Sequence, residues 1–141
     1  MKKLFANTNE QFTAWASQQG IPAGVVETLI GSAPNKQDLD PEVPYHFSHL
    51  KDIMSMNGKD GIPIPAISNG FLMIGCCCNG DPVAVDFQKD VGSVYYLSHE
   101  GMFGNKNLRH VAVQVPKDIH DLLRRLGDDP DFPLDYWDAA K

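Results

Sequence analysis

The chain has 141 residues, of which 43% are hydrophobic and 21% are charged, with 18 acidic and 12 basic side chains. A chain of this length is expected to form one domain over residues 1–141, and its composition excludes wholesale disorder and a fibrous rod. The net charge of −6 argues against nucleic-acid binding, which requires Lys and Arg to neutralise phosphates, and favours a basic protein partner.

Three helical segments are predicted before any strong strand. They cover residues 8–20, 22–31 and 45–57, separated by a loop over 32–44 that is rich in Pro, Asn and Asp. Their apolar faces carry Phe12, Trp15 and Ala16 in the first, Val25, Val26, Leu29 and Ile30 in the second, and Phe47, Leu50, Ile53 and Met54 in the third.

The middle of the chain predicts strands. Residues 62–65 alternate Ile with Pro and indicate an edge strand or an extended connector. Strands are then expected over 71–77, 82–87 and 94–98, and the first two are joined by Asn79-Gly80, a strong hairpin signal. Short turns between consecutive strands imply an antiparallel meander.

A further strand is expected over 111–115, followed by a helix over 116–126 with one apolar stripe. The acidic tail from Asp128 onward also carries four large apolar residues, so we expect a docked arm. The predicted fold class is α+β: a twisted, mainly antiparallel sheet flanked by helices that pack on one side of it.

The three cysteines, Cys76, Cys77 and Cys78, are adjacent, which is not the spacing of an extracellular disulfide framework. Buried small side chains are the main prediction for them, with redox or metal chemistry as the lesser alternative. The N-terminus shows no export signal, because polar residues follow Phe5 where an apolar segment would be needed. A soluble, cytoplasmic protein is therefore expected.

The stretch Gly75 to Glu100 contains an apolar strand, a Gly-Asp turn, a strand that ends in Asp, and a strand that ends near a His-acid pair. The residues that carry this motif are Gly75, Gly80, Asp81, Asp86, Tyr95 and His99. The motif resembles that of the SUKH superfamily.

The resemblance implies an α+β fold and a binding role. Bacterial members are typically immunity proteins that neutralise polymorphic toxins, while fungal relatives are regulators and scaffolds linked to cell-wall synthesis. We therefore expect a non-enzymatic protein-binding domain of the immunity type, without cofactor or metal. The alternatives are a scaffold or regulatory module and, from another class, a small hydrolase or metal-dependent enzyme that uses His99 with the cysteines.

The candidate partner-binding residues lie at strand ends and in the tail: Asp81, Asp86, Tyr95, Tyr96, His99, Glu100 and Trp137. Two of them also have a structural interpretation, since Asp81 can accept hydrogen bonds from turn amides and His99 can serve as a capping or hydrogen-bonding residue. Tyr95 and Tyr96 must face opposite sides of the sheet, so one should be more available for contact. Asp81 and Asp86 are roughly 16 Å apart along one strand, too far for an acid/base pair.

Overall fold

The computed structural model describes residues 8–31, 45–47, 50–54, 57, 66–77, 81–101, 107–115, 118–128, 133 and 136–140. The helices in these ranges are α1 (Thr8–Gln18), α2 (Ala23–Gly31), α3 (Leu50–Met54), α4 (Ile119–Asp128) and α5 (Tyr136–Ala139). The strands are β1 (Tyr45–Phe47), β2 (Phe71–Cys77), β3 (Pro82–Asp86), β4 (Val94–Leu97) and β5 (Ala112–Gln114). Two 3-10 turns cover Ile67–Asn69 and Leu108–Val111.

The five strands form one sheet in the order β1-β2-β3-β4-β5, and each strand pairs antiparallel with the next. The predicted meander and the α+β class are both confirmed. The predicted connector at 62–65 lies outside the described residues.

The predicted helix over 45–57 is wrong in its first turn. Tyr45–Phe47 forms β1 and pairs with Gly75–Cys77, and the helix begins only at Leu50. Aromatic residues suit a strand, and the ladder to β2 outweighs the helical spacing of Phe47 with the residues that follow. The rest of the predicted apolar face is confirmed, because Leu50, Ile53 and Met54 are buried.

Beyond the end of β1, the side chain of Asn57 forms hydrogen bonds with the backbone of β2, as a neighbouring strand would. Its amide nitrogen donates to the carbonyls of Ile53 and Met73, both at 2.7 Å, and its amide oxygen accepts from the Met73 N–H at 2.9 Å. Asn57 is buried, so this pairing satisfies the backbone N–H and carbonyl of Met73 in the interior. The pairing of β2 with β3 shifts register just after Met73, where β2 is irregular.

The sheet has an apolar core on each face. The larger core lies between the sheet and all five helices, and its strand residues are Leu72, Ile74, Cys77, Val83, Val85, Val94 and Tyr96. The smaller core lies on the opposite face and contains Ala66, Phe71, Met73, Ala84, Leu97 and Leu108. The helices therefore pack on one side, and the 3-10 turn at Leu108–Val111 contributes Leu108 to the other side, whereas Ile67 of the first 3-10 turn packs against the larger core.

Helices α1 and α2 match their predictions, including the buried positions Phe12, Trp15, Val25 and Leu29. Helix α4 begins at Ile119, later than predicted, where the Asp118 carboxylate accepts a hydrogen bond from the Asp121 N–H at 2.8 Å and caps the first turn. None of the helices within the described ranges combines the length and apolar content that a membrane span requires.

Candidate functional site

The two ends of β3 each carry a buried aspartate, and the two carboxylates are held differently. Asp86, at the C-terminal end, forms a two-armed ion pair with Arg109, whose Nη1 lies 2.8 Å from Oδ2 and whose Nη2 lies 2.9 Å from Oδ1. The same carboxylate accepts hydrogen bonds from the backbone amides of Gln88, Lys89 and Asp90. Asp86 thereby fixes the turn that leads from β3 to β4.

The Arg109 guanidinium makes two further contacts. Nη2 donates to the carbonyl of Asn69 at 2.9 Å, and the guanidinium carbon lies 4.4 Å from the centre of the Phe71 ring. Burial by itself raises the pKa of Asp86, but the hydrogen bonds from Arg109 and the turn amides outweigh it and hold that pKa well below its ordinary range. The Asp86 hydrogen bond raises the pKa of Arg109.

Asp81, at the N-terminal end of β3, connects three segments of the chain. Its side chain is fully buried, and Oδ1 accepts the His99 backbone N–H at 3.0 Å and lies 2.6 Å from His99 Nδ1. Its other oxygen, Oδ2, accepts the backbone N–H of Tyr136 at 2.9 Å. Asp81 thus ties the end of β4 and the start of α5 to the start of β3.

The predicted docked arm is confirmed at the described tail residues. Besides the bond from Asp81 to Tyr136, the Tyr96 hydroxyl donates to the Pro133 carbonyl at 2.8 Å. Ala139 and Tyr136 pack against the larger core. The tail therefore closes over the end of β4 that His99 follows.

The two adjacent tyrosines divide between the faces of the sheet, as predicted. Tyr96 is fully buried in the larger core. Tyr95 is half-buried beside the smaller core, and the centre of its ring lies 5.3 Å from the centre of the Phe71 ring. Burial, followed by the charges of Asp86 and Asp90, raises the pKa of Tyr95. Tyr95 is the more available of the two.

The structure separates the predicted binding residues into interior and surface positions. Asp81, Asp86 and Tyr96 are buried, and each is engaged in hydrogen bonds within the chain. Burial removes these three from direct contact with a partner, because their polar atoms already hold the fold together. His99 is half-buried and Glu100 is exposed, so both reach the surface. The Trp137 side chain lies outside the described residues.

We call the surface formed by His99, Glu100 and Tyr136 the His99 patch. The Asp81 carboxylate contacts His99 and Tyr136 directly, and Glu100 follows His99 in the chain. Sequence reasoning missed Tyr136, because its place beside His99 depends on the docking of α5. It also missed Arg109 as the partner of Asp86, because the two are 23 residues apart in the chain.

The other predicted chemistry gains no site in the described part of the chain. Cys77 is buried in the larger core and Cys76 is half-buried, both as thiols, while Cys78 lies outside the described residues. Among the described residues, no three His, Cys, Asp or Glu side chains group as metal ligands. Ser98 is buried, and its Oγ accepts the Gly101 N–H at 3.0 Å.

A cavity of about 280 Å³ lies at the other end of the β3-β4 pair, remote from the His99 patch along these strands. Its apolar lining includes Val25, Val85, Val91 and Ile119, and His120 is also among the lining residues. Val91 is 53% exposed, more than any other large apolar residue that the structure describes.

Comparison with known proteins gives no relative: no family model, curated protein or solved structure matches this chain.

Proposed function

We propose that the chain is a protein-binding domain of the immunity type, which neutralises a toxin by covering its active surface with the His99 patch. This role is the one that the SUKH resemblance of Gly75 to Glu100 implies. The proposal is supported by the placement of that motif in the fold. Asp81 and His99, both motif residues, contact each other at one end of the sheet beside the docked tail.

The observation that carries the proposal is the junction at Asp81. One buried carboxylate fixes the backbone of His99, the His99 ring and the first amide of α5. A surface held in this way loses little conformational freedom when a partner binds, so less of the interaction energy is spent on ordering it. The junction therefore favours recognition by a surface that is already in place.

Charge supports a basic partner. The chain carries a net charge of −6, and Glu100 is exposed within the patch. Opposite charges on two proteins accelerate their encounter and orient it before contact. A toxin domain that binds a polyanionic substrate through Lys and Arg would present such a surface, and covering it would block the substrate.

The test is co-expression with the toxin encoded beside the gene, followed by isothermal titration calorimetry on the purified pair. Rescue of growth and a 1:1 complex are expected. Glu100→Lys should weaken the complex by about 10-fold or more, since it replaces an attractive charge by a repulsive one in the patch. Glu27→Lys is the matched control, because it makes the same change of charge on the exposed side of α2.

Absence of both rescue and complex would overturn the immunity role. A complex that Glu27→Lys weakens as much as Glu100→Lys does would retain the role and remove the patch from it, since only the overall charge would then matter. If the neighbouring genes encode no toxin and the chain instead binds a cellular regulator through the same patch, the scaffold function replaces immunity.

A second candidate, a small hydrolase, is favoured by one observation. A buried carboxylate that holds Nδ1 of a histidine, as Asp81 holds His99, is the half of a catalytic triad that orients the base. A fluorophosphonate probe and an iodoacetamide probe test for an activated serine and an activated thiol, respectively. Labelling that requires the native fold and is lost in His99→Ala would establish this function, and equal labelling of both proteins would eliminate it.

A further inference from the structure

We infer that His99 Nε2 accepts a hydrogen bond from a cationic side chain of the partner, an arginine or lysine, and that Asp81 positions the imidazole for it. This inference rests on the proposed function and names the chemistry of its central contact. The partner group is a positively charged hydrogen-bond donor, and the atom that it contacts is Nε2 of His99.

The contact with Asp81 determines which ring nitrogen of His99 carries the proton. An ionised carboxylate has only acceptor atoms, so the 2.6 Å contact with Asp81 Oδ1 requires a proton on Nδ1. Within one neutral imidazole, a proton on Nδ1 leaves Nε2 with its lone pair. Asp81 therefore selects the tautomer in which the outer nitrogen is an acceptor.

The His99 ring reaches the surface of the protein. The His99 side chain is 40% exposed, whereas the Asp81 side chain is fully buried. The hydrogen bonds of His99 within the described part of the chain use its backbone N–H and Nδ1. Nε2 is thus the polar atom of the ring that a partner can reach.

Asp81 also fixes the orientation of the His99 imidazole. The backbone and the ring of His99 are both bound to the same carboxylate oxygen, which restricts the rotation of the side chain about its first two bonds. Since Oδ2 of that carboxylate also holds Tyr136, the imidazole has a fixed place relative to α5. An acceptor that is already oriented binds a donor at a lower entropic cost.

The acidic surroundings of His99 favour a positively charged donor. Glu100 follows His99 and is exposed, and the chain as a whole carries a net charge of −6. A neutral donor could satisfy Nε2, but this acidic setting favours a guanidinium or an ammonium group. A hydrogen bond from a charged donor is also the stronger kind, worth about 10- to 100-fold in affinity.

The first experiment needs no partner. Two-bond nitrogen-proton correlation spectra of the uniformly ¹⁵N-labelled protein at neutral pH distinguish the two imidazole tautomers. The proton is expected on Nδ1 of His99, with Nε2 unprotonated. In Asp81→Asn, where the side chain can also donate, this preference should weaken. A proton on Nε2 of His99 in the unmodified protein would overturn the inference.

The second experiment uses the toxin encoded beside the gene and compares two substitutions of the same type. His99→Asn keeps a donor near the position of Nδ1 but removes Nε2, so the bond to Asp81 can persist while the outer acceptor is lost. Affinity should fall about 10- to 100-fold. His120→Asn makes the same change at an exposed residue beside the cavity at the other end of β3 and β4, and it should leave the affinity within about twofold.

Equal effects of the two substitutions, or no loss in His99→Asn while the unmodified protein still binds, would overturn the contact and leave the immunity role standing. Amide exchange of Tyr136 serves as the structural readout. If His99→Asn accelerated this exchange as strongly as Asp81→Asn does, the loss of affinity would come from a displaced arm, and the inference would fail.

The third experiment separates the inference from the toxin. N-acetyl-arginine amide is titrated into the labelled protein, and N-acetyl-citrulline amide serves as the uncharged analogue of similar shape. The Nε2 signal of His99 should shift with the arginine compound and much less with the citrulline compound. If the toxin does not bind but this shift occurs, the immunity role fails and the cation contact stands. Equal shifts, or none, overturn the contact.

Discussion

The two ends of β3 hold buried aspartates that differ in what surrounds them. Asp86 is enclosed by five hydrogen bonds, from both arms of Arg109 and from three consecutive turn amides. The bonds to Asp81 that the structure describes come from two residues, His99 and Tyr136, and His99 reaches the surface. One carboxylate completes an internal junction, while the other supports a surface.

The difference shows that two aspartates of one strand can have different roles when their donors differ. Arg109 is 17% exposed and its guanidinium contacts Asp86, Asn69 and Phe71, so the side chain that pairs with Asp86 is less available to a partner than His99, which is 40% exposed. Loss of the Asp86 junction should therefore affect folding. Loss of the Asp81 junction should affect the arm and the proposed binding.

The largest expected effect on stability is that of Asp86→Asn. The substitution leaves the Arg109 guanidinium beside an uncharged group, and removing one partner of a buried ion pair costs about 3 kcal/mol or more. The free energy of unfolding, measured by urea denaturation, should fall accordingly. Glu27→Gln removes a negative charge from an exposed position and should change it by less than about 0.5 kcal/mol. Similar values for the two proteins would contradict the account.

The same junction gives the protein a stability that depends on pH. Because the pKa of Asp86 is held below its ordinary value of 3.8, the folded state binds fewer protons there than the unfolded state. The stabilisation is present above pH 3.8 and is lost as the pH falls towards the pKa of the folded state. Urea denaturation between about pH 2 and pH 7 should show this loss in the unmodified chain and a shallower one in Asp86→Asn.

A smaller effect is expected at the glycine that packs against the Asp86 turn. Gly70 has a φ of +83°, and a Cβ atom there would lie 2.7 Å from Cβ of Gln88. Gly70→Ala should cost about 1 to 3 kcal/mol, from backbone strain and this overlap. Gly92 also has a positive φ, +97°, but has open space around the corresponding position. Thermal denaturation of both alanine variants should show the larger loss for Gly70→Ala, and equal losses would show that the overlap is relieved.

The smallest expected effect on global stability is that of Asp81→Asn. The amide retains one acceptor oxygen, so one of the bonds to His99 and Tyr136 must be lost, at a cost of about 1 to 2 kcal/mol. The loss should concentrate in the tail, with faster hydrogen exchange at Tyr136 and Ala140 than in the unmodified chain. The amides of β2 should keep their protection. A uniform increase across the sheet would contradict a local role for Asp81.

Local signals in the sequence predicted most of the fold. The Asn79-Gly80 dipeptide and the short turns between consecutive strand segments indicated the meander, and the helical spacing of Leu50, Ile53 and Met54 indicated α3. Strand β1 was mispredicted because Phe47 continues that spacing, and only the pairing with Gly75–Cys77 makes the segment extended. Long-range pairing of this kind has no signature within the segment itself.

The candidate site was predicted in part. His99 and Glu100 were identified by their position at a strand end, and the opposite facing of Tyr95 and Tyr96 follows from the period of a strand. The interior roles of Asp81 and Asp86 could not be fully predicted, because their partners Tyr136 and Arg109 come from distant parts of the chain. The local signals were two turns: Asn79-Gly80 before Asp81, and the run after Asp86, whose amides of Gln88, Lys89 and Asp90 turn back to the Asp86 carboxylate.

The claim that the two ends differ in function is tested most directly by hydrogen-deuterium exchange of the chain alone and in complex with the partner that the proposed function implies, a toxin encoded beside the gene. The account predicts slower exchange on binding at 99–101 and 136–140, the His99 patch and its continuation. Exchange at 88–92, in the turn held by Asp86, should be unchanged. Protection confined to 88–92, with none around His99, would contradict the account.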